Sequence, residues 1–261
     1  MQTRGSFDAA SLMEIKLSPN MFSLSQYYKI LIEDMTILRY FVNSAMYTAA
    51  ILFGQALLIP AMAYALSRFK FRGRDALFFV VIMLMLLPFQ VTMVPNVITL
   101  RAMGLLDTIW AIILPMTVAP FYIFLLRQYM VGLPGEMIEA AQIDGATPNQ
   151  TFWKITLPLI RPILVYTLVT SLIGGLQMFD VPQILTNGKG DPVRSSMTVV
   201  MYLNNFIGTS KNYGRAGAVS AIMFVICAVL CVVIMRTTRG DDERKPKPVK
   251  AAKAVKGGKA A

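Results

Sequence analysis

Few residues in this chain could do chemistry, and most of the usual catalytic sets are missing. Among 261 residues there is no histidine, and the two cysteines are Cys227 and Cys231. A histidine-based zinc site or acid–base pair is therefore outside its composition. Two thiols one helical turn apart in an apolar run read as small fillers, not as a disulfide or metal framework. No Gly-x-x-x-x-Gly-Lys-Ser/Thr phosphate loop occurs, and Gly188-Lys189-Gly190 lacks both the spacing and the hydroxyl. The expectation is a chain with no catalytic residue, metal or cofactor of its own.

One polar stretch, residues 133–158, carries a denser pattern. Pro134 suits a first helical turn, and Glu136 and Glu139 complement the positive end of the helix dipole. Met137, Ala140, Ala141 and Ile143 then give a small, mostly apolar surface, and Gly145 follows as a left-handed cap. Thr147, Pro148 and Gln150 spell a capping box for a second short helix. Phe152, Trp153, Ile155 and Leu157 continue it as an interfacial apolar run, stopped by Pro158. Paired alanines let another backbone approach closely, and Glu139 offers a charge to an Arg or Lys on that partner. The pattern predicts a docking element.

The elements that must position this stretch are set by hydropathy. The 25 Lys+Arg and 14 Asp+Glu all fall outside five apolar windows, Tyr40–Leu66, Ala76–Leu100, Thr108–Leu126, Pro162–Phe179 and Ala216–Met235. A ~30 Å hydrocarbon layer needs about 20 apolar residues in helix, so each window predicts a membrane span. The fold class expected is an all-α polytopic membrane protein with five transmembrane helices. Ion-coupled carriers keep charged relays within the membrane; these windows hold none, which leaves energy input to an outside source.

Charge placement sets the orientation. The net charge of +11 does not point to nucleic acid, because nine of the Lys+Arg lie from Arg236 onward and four lie in Arg68–Arg74. Both runs abut an apolar window, where positive residues mark the cytoplasmic side. Residues 128–161 then lie in the cytoplasm and residues 180–215 outside, within a membrane domain spanning 40–236. Residues 1–39 lie outside, and a further span is expected upstream of them. Residues 237–261, rich in Lys, Pro, Ala and Gly, predict a disordered basic tail.

Uncharged polar residues within the windows could hydrogen-bond a hydroxylated solute or pack helices together. Asn43, Gln90, Thr92 and Gln177 are the candidates for a translocation path, with Pro88–Pro95 as its mobile stretch and Gly174-Gly175 as a close approach or hinge.

Glu139-Ala140-Ala141, Gly145, Ile155 and Leu157-Pro158 together resemble the EAA signature of binding-protein-dependent ABC importer permeases. Ala63-Tyr64-Ala65-Leu66-Ser67-Arg68-Phe69, Phe71-Arg72-Gly73-Arg74 and Ile123-Phe124-Leu125-Leu126-Arg127-Gln128 resemble its carbohydrate, maltose-type branch. The resemblance implies a sugar permease of a bacterial inner membrane. Glu139, Ala140, Ala141, Asp144, Gly145, Ile155, Leu157 and Pro158 would form the coupling element for separate ATPase subunits, which bind the ATP and Mg. It further implies a second permease subunit, and an external solute-binding protein met by Asn187, Gly188, Lys189 and Gly190. Branch members have six spans, hence the expected upstream helix. Read without the resemblance, the same cytoplasmic helix also fits a membrane scaffold that recruits a partner other than an ATPase.

Overall fold

A computed structural model describes residues 24–190 and 194–239. The tail expected to be disordered, most of the N-terminal segment and residues 191–193 of the outer loop lie outside the described residues. The described part is helical throughout, with no strand among the described residues. A chain in lipid must satisfy its backbone N–H and C=O groups internally, and helices do so within one segment. Helix α1, Ser25–Tyr28, runs through a π-helical turn at Lys29–Glu33 towards α2, Thr36–Arg68. At 33 residues α2 is about 50 Å long, so it overshoots the hydrocarbon layer at its ends.

The second window is broken at Pro88, one of the prolines that sequence alone marks as able to bend or interrupt a span. Instead of one straight span it forms α3, Arg74–Leu86, and α4, Phe89–Ala102, bent by 110°. Pro88 has no N–H for the Leu84 carbonyl, and its ring disfavours a helical Leu87, which sits extended at φ −72°, ψ 130°. The third window breaks for the same reason. Val118 and Ala119 are extended ahead of Pro120, dividing α5, Trp110–Thr117, from α6, Pro120–Val131. Next come α7, Glu136–Ile143, α8, Pro148–Thr151, a π-helical turn at Phe152–Thr156, and α9, Leu157–Leu159. The chain ends with α10, Arg161–Leu176, α11, Asp180–Leu185, α12, Val199–Gly208, and α13, Tyr213–Arg239.

Two contacts decide whether the bent pair crosses. Arg68 Nη2 donates to the Met130 carbonyl at 2.8 Å, joining the C-terminal ends of α2 and α6. The Tyr202 hydroxyl donates to Asp34 Oδ2 at 3.0 Å, joining α12 to the other end of α2. Since α5 and α6 run toward the Arg68 end, Trp110 begins at the far end. The pair α3–α4 leaves Arg68–Arg74 and must deliver the chain to Trp110, so it is a broken span and not a re-entrant loop. With Thr36–Arg68, Trp110–Val131, Arg161–Leu185 and Tyr213–Thr237 the described chain crosses five times. The Arg68–Arg74 run and residues 128–161 share one end, the inner one by the positive-residue rule.

Packing follows the layers of the membrane. At the inner end Leu66, Leu126, Met130 and Ile160 are buried together; midway Tyr47, Ile51 and Ile112 pack against Met178. At the outer end Ile30 and Tyr40 meet Val199, Met201 and Val219. Outside these clusters large apolar side chains stand exposed on the spans, Phe53 at 76% and Phe224 at 73%. Water would penalise that surface and lipid does not.

The outer segment 180–215 is long for a plain connector, and it is not structureless. It carries α11 and α12, and Ser196, Met197, Thr198 and Val199 between them are buried. Thr198 Oγ1 donates to the Met178 carbonyl at 2.9 Å, and Ser44 Oγ accepts from the Val199 N–H at 3.1 Å. Short hydroxyl side chains let this strand of backbone sink into the bundle.

Candidate functional site

The inner hairpin is built as the capping residues require. The Ala146 N–H bonds to the Ala141 carbonyl at 2.9 Å, and Gly145 has φ +82°, a Schellman ending for α7. The Thr147 N–H donates to Gln150 Oε1 at 2.9 Å and Thr147 Oγ1 accepts from the Gln150 N–H at 3.3 Å, closing the capping box of α8. On α7 and at its C-terminal end Met137, Glu139, Ala140, Ile143 and Asp144 are exposed, Ile143 at 86%, while Ala141 is buried. Exposed Met and Ile beside a carboxylate, on a helix with a capped C-terminal end, form an amphipathic face.

The other expected coupling residues, Ile155, Leu157 and Pro158, lie on the return segment of the hairpin. Ile155 and Leu157 are half-buried, Leu157 against the inner core, and Pro158 is exposed. The π-helical turn re-aims Phe152 so that its ring meets Tyr64 of α2 edge-on, with centroids 4.9 Å apart. Tyr64 in turn meets Phe69 at 5.6 Å. The hairpin is thus joined by an aromatic chain to the longest span.

In the outer half a cavity of about 520 Å³ opens between α2, the α3–α4 break, the α5–α6 break and α10. Met, Phe and aliphatic groups make most of its lining, and Gln55, Thr92, Asn96, Tyr122 and Ser171 are its polar side chains; none of its lining among the described residues is charged. Its wall rests on one proline. Pro120 cannot donate to the Met116 carbonyl, and Gln55 Nε2 donates to it instead at 2.8 Å. The hydroxyl of Ser171 donates to Gln55 Oε1. One amide thereby holds α2, the α5–α6 break and α10 together.

At the outer surface residues 186–190 form a tight turn. Gly188 (φ +75°) and Gly190 (φ +71°) supply its left-handed backbone, and a Cβ on Gly190 would lie 2.8 Å from Met197 Cβ. Asn187 and Lys189 are the exposed residues of the turn. Nearby, Asp34 receives Thr36 and Tyr202, and Thr36, Tyr202 and the more distant Arg215 charge hold its carboxyl below the usual value, against the opposing effect of burial. Burial and the Asp34 carboxylate both push the Tyr202 phenol up.

Residues 56–239 match the family model described as the binding-protein-dependent transport system inner membrane component. This chain belongs to that family. It is 30% identical over 191 residues to an arabinooligosaccharides transport system permease protein of Halalkalibacterium halodurans, covering 72% of this chain and 68% of that protein. It is also 30% identical over 198 residues to an sn-glycerol-3-phosphate transport system permease protein of Yersinia pestis, with 76% and 69% covered. A bacterial ABC transporter that imports the acidic polysaccharide alginate shares the fold, with a TM-score of 0.72 at 23% identity over 85% of this chain and 82% of that one. The chain is a membrane permease of the ABC importer type.

In this permease the expected path residues separate. Thr92 lines the outer cavity, with its hydroxyl donating to the Phe89 carbonyl at 3.0 Å. Asn43 does not line it: its amide donates to the Arg194 and Met197 carbonyls, each at 3.2 Å, and pins the buried outer segment. Gln90 and Gln177 are exposed and outside the lining. Gln55 and Ser171, polar residues within the apolar windows, line the cavity, and so do Asn96 and Tyr122, which the sequence reading did not single out. The signal for Gln55 was Pro120, whose missing donor leaves a carbonyl that only a polar side chain in a neighbouring apolar window can satisfy.

Proposed function

We propose that this permease conducts a sugar, driven by separate ATPase subunits that dock on the exposed face of α7. The observation that carries the proposal is the exposed Met137, Glu139, Ala140 and Ile143 on a helix capped at its C-terminal end and joined through the hairpin and Phe152 to α2. A partner that moves this face moves a span. ATP and Mg belong to those subunits, since this chain has no phosphate loop and no catalytic set. Supporting the sugar are the arabinooligosaccharide relative and the make-up of the outer cavity, in which aromatic and apolar faces surround a few amides and hydroxyls. A second permease subunit completes the path, and Asn187 and Lys189 at the outer turn meet a solute-loaded binding protein, with Gly188 and Gly190 setting the turn that presents them.

The test is co-purification. Glu139→Lys with Gly145→Pro reverses the charge of the face and removes the left-handed cap. The double variant should insert into membranes as the parent does, yet lose the ATPase subunits in a detergent pull-down. Undiminished co-purification would overturn the docking role. Uptake of labelled neutral oligosaccharides by proteoliposomes holding the whole importer and its binding protein tests the cargo; no uptake from a panel that the binding protein itself binds would refute a sugar.

A further inference from the structure

The outer cavity has a counterpart below it. A second cavity of about 340 Å³ lies in the inner half of the bundle, between α2, α6, α10 and the π-helical turn. It is almost wholly apolar, and Phe152 and Trp153 of the hairpin segment form part of its wall. The two linings have two residues in common, Gln55 and Tyr122. On α2 the outer lining takes Ile51 above Gln55, and the inner lining takes Leu52 beside it and Ala56, Leu57, Ile59, Pro60 and Ala61 below. On α10 the outer cavity takes Ser171 and the inner one takes Leu164, Thr167 and Leu168. Apart from Leu52, the two linings divide at the level of Gln55 on α2 and between Leu168 and Ser171 on α10.

The chemistry at this level suits a partition that opens. Gln55 is buried, at 8% exposure, and its two bonds run to separate helical segments. Neither partner is charged, so water entering from either cavity replaces each bond without leaving a bare ion. The Met116 carbonyl has no helical donor to return to because Pro120 follows it, so the α5–α6 break stays where Gln55 holds it. Below, the inner cavity shares its wall with the hairpin, so displacement of Phe152 and Trp153 reshapes the inner side first.

We propose that Gln55 and Tyr122 form the gate between the outer and inner cavities in this chain's half of the transport path. The proposal rests on the permease reading above and adds the residues that separate the two sides. Alternating access requires that a solute in the outer cavity not reach the inner one until this level opens. Loss of the Gln55 bonds shifts the closed–open population toward open.

Thiol labelling in right-side-out membrane vesicles carrying the whole importer tests this, in a full-length chain with Cys227→Ser and Cys231→Ser. Asn96→Cys reports the outer cavity and Thr167→Cys the inner one. A membrane-impermeant methanethiosulfonate added outside should label Asn96→Cys and leave Thr167→Cys nearly untouched. Adding Gln55→Ala should raise external labelling of Thr167→Cys about tenfold, the factor for losing one or two net hydrogen bonds. Tyr122→Ala should do the same by removing bulk, and Ser171→Ala should give a smaller rise if Gln55→Ala does not accumulate. Asn96→Cys should label equally in every background. An unchanged Thr167→Cys rate in all three variants, or an Asn96→Cys rate no faster than that of Thr167→Cys in the parent, would overturn the gate. The pull-down of ATPase subunits with each variant is read in parallel: retained subunits with unchanged labelling sink the gate alone, whereas the docking reading fails only on the Glu139 variant.

Discussion

Gly174 and Gly175 are adjacent, yet only one of them is a packing residue. A Cβ on Gly175 would lie 2.7 Å from Thr48 Cγ2 and 2.8 Å from its Oγ1, whereas a Cβ on Gly174 would meet nothing within 4 Å. Thr48 cannot easily turn aside, because its hydroxyl donates to the Ser44 carbonyl at 2.7 Å. Overpacking of this kind costs about 1–3 kcal/mol. Gly175→Ala should therefore lower the thermal midpoint of the detergent-purified protein, Gly174→Ala should leave it unchanged, and Thr48→Ala should rescue the first but not alter the second. Equal midpoints for the two single variants would show that α2 and α10 have slack here. A second residue-scale effect concerns pH. The Asp34 carboxyl is held below its ordinary value of 3.8, foremost by its hydrogen bond from Thr36, with Tyr202 and Arg215 adding to it. A depressed carboxylate stabilises the fold above the unfolded pKa, and that share is lost as pH falls through the lower folded value. Thermal midpoints measured downward from neutral pH should fall more for the parent than for Asp34→Asn as pH drops below 3.8; parallel profiles would remove Asp34 from the account.

Among the elements, the spans were the legible part, because a long charge-free apolar run has few alternatives to a membrane helix. The hairpin was legible too: Gly145, Thr147, Pro148 and Gln150 each fill one backbone need, and those needs are local. The breaks before Pro88 and Pro120 were less so. Proline within a lipid-bound helix is tolerated or not according to tertiary partners that a sequence does not display; Pro60, Pro95 and Pro115 all lie within continuous helices here. The path residues were the least legible. Asn43 and Gln55 look alike as amides in apolar windows, and only the fold shows that one binds the outer segment while the other faces a cavity. The element whose role can be measured is the π-helical turn, which sets Phe152 against Tyr64. An aromatic pair is worth about 0.5–1.5 kcal/mol beyond area burial. If the hairpin drives α2 through it, Tyr64→Ala should lower solute transported per ATP hydrolysed by about two- to tenfold in proteoliposomes. Tyr64→Phe, which keeps the ring contact, should not. Equal coupling ratios for both variants would leave the aromatic chain a packing feature only.

At the scale of the whole molecule, one parity argument fixes which features share a side of the membrane. The chain must change sides between Arg68 and Trp110, because α2 and α6 end together through the Arg68–Met130 bond while α5 and α6 run in the same sense as α2. Were the bent pair α3–α4 a re-entrant loop, Asp107 would return to the inner side and the hairpin would be carried outside, away from the basic run Arg68–Arg74. The contact of Tyr64 with Phe152 at 4.9 Å forbids that, since it places the hairpin beside the inner end of α2. Single cysteines at Asp107 and Lys189, in a chain lacking Cys227 and Cys231, should therefore react with an impermeant reagent from outside intact cells. Those at Arg72 and Asp144 should react only after the membrane is permeabilised. Labelling of the cysteine at Asp107 from the inner side alone would make α3–α4 a loop, and the outer cavity, whose wall it forms, would then face the wrong compartment.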